Sequence, residues 1–137
     1  MTKKRSRSVD RVRCALESAG LETEILELDQ STRTAELAAA AIGVPLGSIV
    51  KSLVLMADSK PVLALVAGDR QVCEEKVAAE AGARYARLAT ADEVRAATGY
   101  AVGGVAPIGH ETDLPVIVDS SLWRFETVHA AAGAPRA

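Results

Sequence analysis

Two apolar runs, IVKSLVLMA (49–57) and PVLALVAG (61–68), are separated only by DSK, and this constrains the chain more than any other feature. Nearly continuous Val and Leu with little alternation predicts strands buried on both faces rather than on one. The short polar connection predicts that the two strands form a central hairpin. A hairpin buried on both faces needs cover on both sides, so the remaining segments must supply the layers.

They carry the right patterns. Ser8 can cap a helix with Val9, Val12, Leu16 and Ala19 at helical spacing, ended by Gly20. TEILELD (23–29) alternates like a strand with one wet face. TAELAAAAIGVP reads as a short helix capped by Thr34 and stopped by Gly43 and Pro45. DRQVCEEKVAAEAG predicts a helix with Asp69 near its cap and Cys73, Val77 and Ala81 on one stripe. TADEVRAATG opens with the capping box Thr90…Glu93 and stops at Gly99. LPVIVD (114–119) reads as a strand, followed by a polar corner SS and then RFETVHAAAG. Strands alternating with helices, one hairpin and no repeat or linker predict a mixed α/β fold in one domain over 1–137, with residues 1–8 as a basic arm. Strand order is not readable from these patterns.

Net charge narrows the function classes. At -2 the chain has no global basic field, which argues against duplex DNA as a partner. Contact with a nucleic-acid end would have to be local. The two cysteines and two histidines have no metal-ligand spacing, so no metal or other cofactor is expected. Two isolated cysteines fit a reducing cytoplasm. No apolar run approaches the ~20 residues that cross a bilayer, so no membrane partner is expected.

The chemistry-bearing residues are few. Lys51 stands near the start of the most apolar strand, either as a strand-end lysine reaching to water or as a cation at a pocket mouth. Asp119 ends another apolar strand, as a turn-former or a site carboxylate. GYAVGGVAPIGH (99–110) fits neither phosphate-loop pattern, and no clear helix follows it. Its Gly103, Gly104 and Pro107 form either a plain connection or a backbone-lined pocket wall. His110 closes that stretch as a candidate base. No Ser lies in G-x-S-x-G, and Cys14 and Cys73 read as core residues rather than nucleophiles.

IVKSLVL, GDRQV, TGYAVGGVAPIGH, VIVDSSL and AAAG, in that order, resemble the YbaK/prolyl-tRNA synthetase-associated domain family, from about Thr34 to Gly133. The resemblance implies a mixed sheet curled toward a barrel with helices around it. It also implies hydrolysis of the ester that joins a wrong amino acid to the 3′ end of a tRNA. Lys51 matches the family's active-site lysine in its K-[ST]-L motif. Gly103 and Pro107 match the ends of a G-x-x-x-P loop, and Asp119 a late strand-end aspartate. His110 matches a GH found in part of the family. Gly104, inside that loop, and Thr34, where the match begins, join these as implied substrate-binding residues. The family's chemistry uses a positioned water, with help from a group of the substrate itself. The chain ends at GAPRA, whereas relatives usually continue through another strand and short helix, so a final element is either absent or trimmed.

The leading expectation is a trans-acting aminoacyl-tRNA deacylase with Lys51 as its catalytic residue. Contact with the tRNA would come from Lys51, Arg70, Arg84 and the basic arm, and an aminoacyl-tRNA synthetase is a further implied partner. Two other classes compete: a non-catalytic binding module for a small molecule or tRNA end, and a structural partner of a synthetase.

Overall fold

A computed structural model describes residues 7–21, 25, 34–101, 105–110 and 112–132. The helices are α1 (Arg7–Ser18), α2 (Ala35–Ile42), α3 (Glu74–Ala81) and α4 (Ala91–Thr98). The strands are β1 (Ile49–Ala57), β2 (Lys60–Ala67), β3 (Ala86–Leu88), β4 (Val116–Val118) and β5 (His129–Ala130). Short 3-10 turns at Leu46–Ser48 and Ser120–Arg124 lead into β1 and out of β4.

The predicted hairpin is the centre of the sheet. β1 and β2 pair antiparallel from Val50↔Ala67 to Ala57↔Lys60, which leaves a two-residue turn at Asp58 and Ser59. Both have positive φ, 50° and 82°, as a type I′ hairpin turn requires. The Asp58 carboxylate holds the turn by accepting from Arg84 N at 2.9 Å and Tyr85 N at 3.3 Å. The strand order is β3-β1-β2-β4, with β5 also on β1. β3 pairs antiparallel, while β4 and β5 add in parallel, so the sheet is mixed. Its described strands leave it open at β4, so the closure implied by a barrel is not part of the described fold.

Because β1 is pleated, its alternate residues feed two cores. Leu55 and Ala57 pack with Val62, Ala64 and Val66 under Val77 and Ala78 of α3. On the opposite face, Val54 and Leu63 pack with Val12 of α1, Val94 of α4, Tyr100, Val105 and Ala106. Leu55 and Leu63 are fully buried, each contributing about 1.5–3 kcal/mol of apolar burial. Nearer the start of β1, Val50 and Ala67 pack on Leu122.

The caps on α2 and α4 follow the sequence. Thr34 accepts from Leu37 N, Thr90 and Glu93 form the reciprocal box, and Gly43 and Gly99 close the two helices in the left-handed conformation. Other expectations are corrected. α1 starts at Arg7, one residue before its expected cap. α3 starts only at Glu74, so Cys73 is its cap position and is exposed instead of buried. Asp69 lies five residues before that helix and binds Arg124 instead of capping it. Cys14 is exposed too, because it falls between the buried positions of α1 rather than on them. The strand expected at 23–29 lies outside the described residues except Ile25, which packs on the loop-side core. Among the described residues no helix is long and apolar enough to cross a membrane.

Candidate active site at one end of the sheet

The start of β1, the end of β2 and the end of β4 converge on one end of the sheet, and they bring Lys51, Arg70 and Asp119 with them. Lys51 lies opposite Val66, so its stem follows the α3 face and its ammonium donates to the carbonyl of Arg70. The turn after β2 can sit this close only because residue 68 is glycine. A Cβ there would lie 2.3 Å from the Leu46 carbonyl oxygen and 3.3 Å from Ala35 Cβ. The same contact brings the N-terminus of α2, with Thr34, to this end. Thr34 is exposed, and its hydroxyl caps α2 by accepting from Leu37 N at 3.2 Å.

Asp119 ties β4 to β2. Its Oδ2 accepts from Ala67 N at 3.1 Å and its Oδ1 from Ser121 N at 2.9 Å. Burial pushes its carboxyl up, but the hydrogen bonds from Ser121 and Ala67 and the charge of Arg70 outweigh that, and its pKa is lowered. Beside it, Arg124 clamps Asp69 through two bonds of 3.1 and 2.8 Å and donates from Nε to Ser121 O at 2.6 Å. The Asp69 carboxyl is held low, first by that hydrogen bond. Gly47 lies under the pair, since a Cβ there would be 2.9 Å from Asp69 Oδ2. Sequence patterns gave no sign of this clamp.

The loop candidates form a second group. Gly103 and Gly104 lie outside the described residues. Val105 and Ala106 are buried, and Pro107 and His110 are half-buried. His110 Nε2 donates to Ala106 O at 2.7 Å, so that nitrogen carries the proton. The His110 ring meets Tyr100 edge-on, with centroids 5.8 Å apart. The fully buried Tyr100 anchors the loop, since its hydroxyl lies 2.8 Å from Ile108 O and 3.0 Å from Gly109 O. Burial raises the Tyr100 pKa, offset in part by the nearby Arg11 charge. This loop packs on the Val54 face of β1, opposite to Lys51 and roughly 10 Å along the strand from it. Arg84, expected beside Lys51 in contact with tRNA, lies at the Asp58 end of the hairpin. Only a ligand of macromolecular length would span both.

Among the described residues no group of three His, Cys, Asp or Glu side chains could hold a metal. The arrangement offers a lysine cation at a sheet end, a carboxylate locked by backbone amides, and a loop fixed by Tyr100.

Comparison with known proteins gives this geometry a context. The family described as "Aminoacyl-tRNA editing domain" matches residues 29–137. The Bacillus subtilis (strain 168) protein YwhH, uncharacterized, is 39% identical over 113 residues, which is 82% of this chain and 71% of that protein. A proline–tRNA ligase of Solidesulfovibrio magneticus is 46% identical over 90 residues, 65% of this chain but only 15% of the ligase. A crystal structure of a provisionally assigned trans-editing enzyme for prolyl tRNA synthetase superposes with a TM-score of 0.89 at 43% identity. That superposition covers 97% of this chain and 85% of the other.

Proposed function

Since this chain belongs to the aminoacyl-tRNA editing domain family, we propose that it is a deacylase acting in trans on mischarged tRNA. A water oxygen adds to the ester carbonyl carbon, and the bond from that carbon to the ribose oxygen breaks. The products are a free amino acid and a tRNA with its 3′-terminal hydroxyls restored. The observation that carries this reading is the family match, which runs from 29 to 137 and takes in Lys51, Pro107 and Asp119.

The physics supports a sieve of this kind. One methylene is worth only about 1–3 kcal/mol in a binding pocket, so a synthetase misloads similar amino acids and a second, hydrolytic site must remove them. The Lys51 ammonium offsets negative charge developing on the ester oxygens. The family resemblance assigns Gly103, Gly104 and Pro107 to the wall of the aminoacyl pocket and His110 and Thr34 to its border, while residues 105–108 pack on the face of β1 opposite to Lys51. Asp119 holds the sheet end in place behind Lys51. On a chain of net charge -2, the tRNA end meets Lys51 and Arg70 locally, Arg124 being paired with Asp69. A synthetase is the natural upstream partner, in the cytoplasm where translation runs.

A non-catalytic module for a tRNA end is the second reading, favoured by one observation: the Lys51 ammonium is engaged by a backbone carbonyl. Turnover separates the two. Excess protein is incubated with labelled Ala-, Cys-, Ser-, Thr- and Pro-tRNA, and release above spontaneous hydrolysis for at least one is the expected result. Tight binding to tRNA with no release from any of the five would favour the module.

A further inference from the structure

Trp123, the chain's one tryptophan, is 76% exposed, although a side chain of that size is usually among the most covered. The backbone beneath it is fixed on either side. It stands in the 3-10 turn Ser120–Arg124, which Asp119 caps by accepting from Ser121 N. Leu122 before it is buried against Val50 and Ala67, and Arg124 after it is clamped to Asp69. In a turn of three residues per revolution, these two anchors leave the third side, with Ser120 and Trp123, to solvent. The indole is thus held out on a tied support instead of a loose loop. It stands at the same end of the sheet as Lys51, linked to it through Arg124, Asp69 and the Arg70 carbonyl that takes the ammonium.

We propose that the Trp123 indole stacks on a base of the single-stranded 3′ end of the tRNA; this rests on the deacylase reading above. Aromatic rings are a recurrent device for holding unpaired bases, and they accept any base because each has a π face. The surroundings favour a base over a protein. A protein contact calls for a contiguous apolar patch, whereas the exposed neighbours of Trp123 in the chain are Ser120, Arg124, Glu126 and Thr127. One flat ring among polar groups matches a base, whose faces are apolar and whose edges are polar. The exposed Arg70 and the Lys51 ammonium supply cations for the phosphates that lead to the ester. With the ester at Lys51, the Asp69–Arg124 pair separates the indole from the reacting carbonyl, so Trp123 holds the strand without touching the chemistry.

The test uses intrinsic fluorescence, since a single tryptophan makes Trp123 its own reporter. The full chain is titrated with deacylated tRNA, with the trinucleotide CCA and with a blunt RNA duplex, beside an independent measurement of tRNA binding by filter retention. The free protein should emit as a water-exposed indole does; tRNA and CCA should quench that emission, and the duplex should not. Trp123→Ala should keep the wild-type Tm, because the side chain is exposed. It should bind tRNA on the order of ten-fold more weakly, with Trp123→Phe close to wild type. On the panel substrate that the wild type cleaves fastest, Trp123→Ala should raise KM and change kcat little, because a base remote from the ester is held alike in ground and transition states. Binding of tRNA that leaves the emission unchanged overturns the proposal, as do equal quenching by the duplex and a Trp123→Ala protein of wild-type affinity. Emission from the free protein that is already that of a covered indole, and shifts to the exposed form on dilution, overturns it in favour of a second copy of the chain. Should Trp123→Ala not fold, the wild-type titration and Trp123→Phe decide. A wild type that binds no tRNA refutes both readings, and one that is quenched by tRNA and CCA yet cleaves no substrate refutes only the deacylase.

Discussion

Replacing Asp119 with Asn tests what that side chain does. Its two oxygens each accept one backbone N–H, from Ala67 and Ser121, and an amide can serve only one of them while turning an NH2 toward the other. The Ala67 donor has no route to water, because that residue is fully buried. The loss is therefore one hydrogen bond to a charged group together with an orphaned N–H, about 2–3 kcal/mol in all. For a chain of this length that corresponds to a drop of roughly 6–12 °C in Tm, read by circular dichroism at pH 7. The pH dependence gives a second check. The folded pKa of Asp119 is lowered, so its stabilisation is present above the unfolded carboxylate value of about 3.9 and is lost as pH falls through the lower folded value. The gap in Tm between wild type and Asp119→Asn should stay constant from pH 7 to about 5 and narrow below about 4. An Asn variant melting within about 1 °C of the wild type at pH 7 would refute the reasoning.

Lys51→Ala should remove most deacylation while leaving the circular dichroism spectrum and Tm close to wild type, since the ammonium is exposed and makes a single bond to a carbonyl; full turnover in the folded variant would exclude Lys51 from the chemistry. Gly68→Ala forces a Cβ to 2.3 Å from a backbone oxygen, and should cost about 3 kcal/mol or more in urea denaturation. Cys14→Ser and Cys73→Ser should keep both Tm and turnover, because both thiols are exposed; a folded Cys73→Ser protein without turnover would revive a thiol nucleophile. Removing Glu93, whose carboxyl is held down to about 2 mainly by Arg87, should flatten the fall in Tm between about pH 4.5 and 2. That follows because a lowered carboxyl stabilises only while it stays ionised.

What was legible in the sequence was local. The hairpin could be read because its apolar runs and polar connection are contiguous, and the caps Thr34, Gly43, Thr90 and Gly99 because a cap acts within one helical turn. β3, only three residues long, has no period to detect and exists because β1 offers an edge. The late start of α3 escaped notice because apolar spacing continues upstream of Glu74, while Asp69 is drawn away by Arg124, 55 positions on. Tyr100 as the anchor of the loop was missed, although one of the few aromatics of this chain at the mouth of a glycine-rich stretch was a usable signal. The family resemblance named Lys51, Pro107 and Asp119 from motifs alone. It could not reveal that Lys51 and the loop lie on opposite faces of β1, because facing depends on register with β2.

β1 is bound at its two ends by segments of very different reach. Near Asp58 its partners are a turn and β3, both close by in the chain, whereas at Ile49 and Val50 it waits for β5. The Asp119 tie likewise closes over 52 positions. Long closures are entropically dearer and come late in folding, so the Lys51 end is expected to assemble last and to open first. The amides of Ala67 and Gly68 should then exchange faster than those of Leu55 and Leu63 in hydrogen-exchange measurements, through local openings that break their bonds to Asp119 and Ile49. A ligand seated at that end would act as a clasp, slowing the exchange where the chain itself holds least.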